Sequence, residues 1–447
     1  MEKKKKIIAC IIITVIILII FCAFSNNECN VFRDYCYFDS NGTTPMHEEA
    51  LIAYNKSAYL GNVSADYAVC AKNTLLHAKK TIHNWTNTDA DTHQIVFNSG
   101  ASEGNNYILR SLTTIMPGGM RPHYILGAVE HKTSIKCAEC LQRSGKIDLT
   151  LVYPDIYGII DPIEVAKNIR SNTILVSIMH FNNELGSIND LEEIGNVCKI
   201  HNVFFHSDVV QSFGKRPIDM KKCNLSAITA SFHKFGGPLG VGALIMSNKL
   251  AVKITGNEQI SGSQFNGFRG GTENISGIAA ADAAMSTTFK NRPVKNARML
   301  RYKRQLIKAL SKEFSILPYE SIVSNMYLDP TAMTKKPISV VFLGPNCEGK
   351  VAPNTLLMSF IRTDGSTEKL CNIKLKKMLL DKKVIISIGS ACNTKDKNAS
   401  HVLNAIQIPQ SIKSGVLRVS FGDHNTDREV DYLIKCLIEC VKELCNV

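Results

Sequence analysis

The chain has 447 residues, 45% of them apolar, 20% charged and 7% aromatic, with a net charge of +13. That length buries a sizeable core and fits about two to four domains, or one large α/β unit with an appendage, which excludes a disulfide-stapled mini-protein. The composition excludes collagen-like, low-complexity and wholly disordered chains, and the lysines are too scattered for nucleic acid to be the meaning of the charge.

Residues 7–24, IIACIIITVIILIIFCAF, run without a charge behind Lys3 to Lys6. As a helix they span ~27 Å, enough for a bilayer core of ~30 Å with snorkelling flanks. A secretory signal is the rival, with Ala23 and Ser25 near a cleavage point. The length of the run favours a retained single-pass anchor, making residues 1–30 anchor and linker. The expectation is a membrane-localised protein. The basic flank would send the body across the membrane. The sequons Asn41-Gly-Thr43, Asn62-Val-Ser64 and Asn274-Ile-Ser276 fall in motifs of the candidate site and favour a cytosol-facing body instead.

Further along, HQIVFNSG (93–100), HYILGAVEH (123–131), IDLTLVY (147–153), NTILVSIMH (172–180), VFFHSD (203–208) and LSAITASFHK (225–234) read as short buried strands leading into helices. Apolar runs so spaced predict parallel strands with crossover helices, whose carboxyl ends collect functional residues. From residue 291 a charged helical stretch, a Pro- and Asn-rich connection and the amphipathic REVDYLIKCLIECVKEL predict a smaller unit. The expected architecture is a large α/β domain with a mostly parallel sheet (31–290) and a small α+β domain (291–447). Residues 318–350 receive no function. The fifteen cysteines are odd in number, so at least one stays unpaired. The isolated Cys137-Ala-Glu-Cys140 lacks a second pair at zinc spacing, so no metal site is expected.

Chemistry concentrates at three strand ends. Lys234, in SFHKFGGPLGVGAL, is a strand-end lysine before a glycine-rich turn, placed to lose hydration and act as an amine nucleophile. Taken alone, it reads first as a surface lysine. Asp208, in FFHSDVVQSFGK, supplies the carboxylate that a pyridoxal phosphate enzyme sets against the pyridinium nitrogen. NSGASEGNN (98–106) follows a strand, opens a helix and leaves N–H groups free for a phosphate.

The ordered series SGASEGNN, VEHKTS, VSIMHFNNELG, HSDVVQSFGK, SFHKFGGPLGVGAL, FRGGTEN and IGSACN resembles the NifS-like cysteine desulfurases and selenocysteine lyases, over residues 36 to 440. These are pyridoxal phosphate enzymes of the aminotransferase class V group, with an aspartate-aminotransferase-like fold. The resemblance implies that Lys234 binds the cofactor covalently and moves the substrate Cα proton. Asp208 would face the pyridinium nitrogen, His131 would stack on the ring, and Gln211 and Asn183 would reach its phenolic oxygen side. Ala101, Ser102, Ser231 and His233 would hold the phosphate. Thr272 would reach the phosphate of a second copy, implying a homodimer. Cys392 would take the sulfur of L-cysteine as a persulfide, releasing L-alanine, and Arg418, with Asn183, would bind the substrate carboxylate. An unidentified sulfur-acceptor protein would follow, in iron–sulfur or thio-cofactor supply. Selenocysteine lyase and an inactive cofactor-binding scaffold remain the alternatives.

The chain departs from the family pattern at several places. Asn41-Gly42 stands before Thr-Thr-Pro, where two alanines or Asn-Ala are usual. Asn62-Val63-Ser64-Ala65 replaces Asn-Pro-Ser-Ser. Phe265 and Asn266 replace a glutamate and a basic residue, and Asp423 replaces an arginine. These positions put substrate identity and rate in question more than cofactor binding.

Overall fold

The computed structural model describes residues 30–114, 119–254, 262–320, 334, 336–345, 347, 349–365, 370–388 and 400–446. Its larger sheet has seven strands: β1 (His93–Asn98), β2 (His123–Gly127), β3 (Asp148–Val152), β4 (Thr173–Ser177), β5 (Phe204–Asp208), β6 (Ala227–Ser231) and β7 (Gly242–Ser247). Their order is β1-β7-β6-β5-β4-β2-β3. Ile95, Tyr124, Leu126, Val176, Phe205 and Ile228 are all buried. Helices on both faces account for runs that are apolar rather than alternating. The six expected strands are present. The seventh, β7, lies antiparallel between β1 and β6, where the sequence reading placed only a glycine-rich turn.

Because β7 alone is reversed, β1, β2, β4, β5 and β6 end at the same edge. The helices that follow, α1 (Ala101–Ser111), α2 (Lys132–Arg143) and α3 (Leu191–Ile200), return across the faces. Polar strand ends therefore converge at one place, as open α/β sheets dictate.

A second sheet, in the order β11-β10-β9-β8, comprises β8 (Ser315–Ile316), β9 (Ile338–Leu343), β10 (Thr355–Arg362) and β11 (Val416–Ser420). Its core packs Phe360 and Phe421 with Leu433 and Leu437 of α5 (Asp427–Leu444). That helix starts on a capping box between Thr426 and Glu429. The 39-residue helix α4 (Ile275–Glu313) serves both units: Ile278 and Met285 enter the first core, while Met299, Tyr302, Leu306 and Leu310 enter the second.

The start of the described chain belongs with the second unit. Cys36–Tyr37 pairs in parallel with Val384–Ile385, Phe38 lies in its core, and Asp39 bridges to Ser420. From there residues 40–44 pass to the edge where the large-sheet strands end, tied to His233 by Thr44 (N to O, 3.0 Å).

One expectation is corrected. Among the described residues no helix is long and apolar enough to cross a membrane. The longest, α4, carries Lys290, Arg292, Lys295, Arg298, Arg301 and Lys303 along its length. The membrane localisation rested on residues 7–24, which lie outside the described residues.

Candidate active site

At the common edge of the strands lies a cavity of about 420 Å³. One end is built by the start of α1. The first intrahelical bonds come from Glu103 and Gly104 to Gly100 O (3.1 and 3.2 Å), so the N–H groups of Ala101 and Ser102 precede the ladder. Gly100 has φ +142°, a region that side chains rarely adopt. Gly242 on β7 passes so close that a Cβ there would stand 2.6 Å from Gly100 Cα and 2.7 Å from Ala230 O. The glycine that hid β7 from the sequence reading is therefore what lets this strand run against the helix start. Ser231 and His233 complete the wall. Burial pushes His233 down to about 4, so its ring is neutral at pH 7, and Nδ1 lies 3.0 Å from Thr43 Oγ1. Free N–H groups, hydroxyls and a positive helix end make an anion cradle.

Asp208, at the end of β5, is 4% exposed. Asn105 Nδ2 donates to its Oδ2 (2.7 Å) and Val210 N to its Oδ1 (3.0 Å), which fixes the carboxylate on the cavity wall. Asn105 lies within SGASEGNN, where the sequence alone assigned it no place, and here it orients Asp208. Its position one turn after Ala101, on the buried side of α1, was the available signal. His131 caps α2, accepting from Thr133 N at Nδ1 (3.3 Å), and its ring lines the cavity.

Lys234 donates to Asn41 O (2.8 Å) and Gly42 O (2.6 Å). Burial, with the charge of Arg418, pushes its amine down to about 8 against the opposing pull of Asp39 and Asp208. Gln211 Nε2 donates to the same Asn41 O (3.1 Å), and its Oε1 is buried with no protein partner. Arg418, on β11, donates to Asn183 O (2.9 Å) and to Asp39 Oδ1 (2.6 Å). Asn41 ties the two units together, donating from Nδ2 to Asn183 O (3.0 Å) and Thr355 Oγ1 (2.8 Å).

The structure thus brings Ala101, Ser102, His131, Asn183, Asp208, Gln211, Ser231, His233, Lys234 and Arg418 to one cavity. Thr272 is exposed and outside its lining. Cys392 lies outside the described residues. Among the departures, Asn41 and Gly42 line the cavity. Phe265 is buried beside Phe97 in the large core, and Asp423 pairs with Lys295 and with His47 Nε2 (3.1 Å).

A family model described as aminotransferase class-V matches residues 36–433. The cysteine desulfurase IscS of Clostridium botulinum is 30% identical over 416 residues, covering 91% of this chain and 94% of that protein. The chain belongs to the class-V aminotransferase family, among its cysteine desulfurases. A solved NifS-like protein superposes with TM-score 0.76 at 24% identity, covering 92% of this chain and all of that one. SspA, solved in complex with cysteine, gives 0.68 at 26% identity over 87% of this chain and 99% of its own.

The family's cofactor is pyridoxal phosphate, and the cavity fits it on its own terms. It offers an anion cradle at one end, a buried Asp208 carboxyl group that can face the ring nitrogen, an unpartnered Gln211 Oε1 and a lysine amine of lowered basicity.

Proposed function

We propose that this protein removes sulfur from L-cysteine, releases L-alanine and holds the sulfur as a persulfide on Cys392 for a sulfur-acceptor protein in iron–sulfur or thio-cofactor supply. The observation that carries this reading is the convergence of Lys234, Asp208 and Arg418 on one cavity in a chain of this family. In this reading residues 31–290, apart from the Cys36–Asp39 segment that packs with the second unit, form the cofactor-holding domain, and residues 291–447 the domain that carries Cys392.

Bound in the cavity, pyridoxal phosphate supplies an aldehyde for amines and a ring that draws electrons from the substrate's Cα. The chain's residues do the rest. The start of α1, with Ser231 and His233, anchors the phosphate. Asp208 holds the proton on the ring nitrogen, and Asn105 keeps that carboxylate aimed. His131 covers one ring face. Lys234 Nζ takes the proton from the substrate Cα and returns it, a task suited to an amine with a pKa near the working pH. Arg418 binds the α-carboxylate. The substrate Cβ–S bond breaks, an S–S bond forms to the Cys392 sulfur, and Cβ gains the proton that completes alanine, with no outside oxidant. Ser387 lines the cavity and precedes Cys392 by five residues, a tether of at most about 18 Å.

Purified holoenzyme given L-cysteine and a reductant is expected to release alanine and sulfide. Cys392→Ala should keep the bound cofactor and lose turnover at least about a hundredfold. Unchanged alanine release in that variant would remove Cys392 from the mechanism. Preference for selenocysteine in parallel assays would make the protein a lyase, and no alanine from either amino acid would leave a scaffold.

The working form is a homodimer in this reading. Tyr59, Tyr67, Val69 and Leu76 are 92%, 82%, 58% and 62% exposed along residues 59–76, an apolar stretch that a second copy would cover. The exposed Thr272 would then lie free to serve the partner's phosphate. Sedimentation at twice the chain mass is the expected result, and a monomer with full activity would rule the arrangement out.

A further inference from the structure

The departure at residues 41 and 42 bears on Arg418. Arg418 is 6% exposed, and its guanidinium already holds two partners, Asn183 O at 2.9 Å and Asp39 Oδ1 at 2.6 Å, while Nε is buried with none. A carboxylate of the chain itself therefore sits on the group that the reading above gives to the substrate's carboxylate.

Asp39 is held there from its backbone. Its carbonyl accepts from Tyr37 Oη (3.0 Å) and Gly42 N (2.8 Å), and its residue bridges to Ser420 on β11. The side chain has room because residue 42 has none. A Cβ on Gly42 would stand 2.7 Å from Asp39 Oδ2, closer than real Cβ contacts come. Where the family pattern carries alanine at this place, the Asp39 carboxylate would have to shift from the position it takes here.

We propose that Asp39, given space by Gly42, competes with the α-carboxylate of the amino-acid substrate for Arg418 and so sets how tightly the chain takes that substrate. This rests on the desulfurase reading. An incoming carboxylate must displace Asp39 or share one guanidinium with it. Both routes cost binding energy, because one guanidinium then shares its donors between two carboxylates. Asp39 and Gly42 are then specificity-determining residues acting through Arg418.

The test uses holoenzyme and two probes in calorimetry: 3-mercaptopropionate, which has the carboxylate and no amine, and cysteamine, which has the amine and no carboxylate. Asp39→Asn removes the competing charge. Gly42→Ala keeps the charge and only crowds it, so the result survives if losing a buried ion-pair partner unfolds the first variant. Each folded variant is expected to bind 3-mercaptopropionate about tenfold tighter, with cysteamine within about twofold of the parent. Unchanged or weaker 3-mercaptopropionate binding in both would overturn the competition and mark Asp39 as a strut for Arg418. Arg418→Met separates the two levels. If it binds 3-mercaptopropionate as tightly as the parent, the role of Arg418 itself fails and the competition with it. If it loses that binding while the two variants stay unchanged, only the competition fails.

Discussion

Lys234→Ala is expected to abolish turnover, by about 10³-fold or more, while leaving the cofactor bound without a covalent link. The size of the loss follows from what the amine does and from its setting. With its pKa brought to about 8, roughly a tenth of the amine is neutral at pH 7, about 300 times more than for an ordinary lysine. That fraction is available both to attack an aldehyde and to carry a proton. The anion cradle at α1 and the Asp208 carboxylate do not depend on Lys234, so cofactor affinity falls less than rate. Mass spectrometry after borohydride reduction reads the result directly. The parent chain should gain the mass of one reduced cofactor, and Lys234→Ala should gain none. A variant still labelled at another lysine would show that the covalent site has been misassigned.

Asp208→Asn should lower turnover by about 10²- to 10³-fold and weaken cofactor retention, with the fold intact. The substitution is close in shape but wrong in polarity twice over. Both carboxylate oxygens already accept hydrogen bonds, from Asn105 Nδ2 and Val210 N, so an amide must turn its NH2 toward one of two donors. It also carries no charge to keep the ring nitrogen protonated. Asp208→Glu keeps the charge and moves it by one methylene, and should recover part of the rate. Measured kcat for L-cysteine, with far-ultraviolet circular dichroism to confirm folding, checks both. An Asn variant within threefold of the parent would remove Asp208 from the electronic role.

Much of this was legible in the sequence for a physical reason. A strand buried on both faces must be continuously apolar, and its exit must be polar, so β1 to β6 and the residues at their ends could be read together. β7 escaped because its contact with Gly100 requires a glycine-rich approach, which looks like a turn when the neighbouring strand is unknown. Asn105 escaped because its partner lies 103 residues away. Asp39 escaped for the same reason, its guanidinium partner being 379 residues on. The 7–24 run lies outside the described residues, and among those residues no helix is long and apolar enough to cross a membrane.

The threading of residues 36–42 has a consequence for the order in which the protein can be made. Asn41 bonds to Thr355, 314 residues later, and its backbone N–H to Ser420, 379 residues later. Cys36–Tyr37 finds its strand partner only at Val384–Ile385. During synthesis the large sheet can close around its own strands, because β1 to β7 are complete by residue 247. The carbonyls of Asn41 and Gly42 that receive the lysine are anchored by the last quarter of the chain, and non-local contacts of this span form late. The catalytic pocket is therefore completed only once the last quarter of the chain has been made, and a nascent chain can hold a folded large domain for some time without being able to process its substrate.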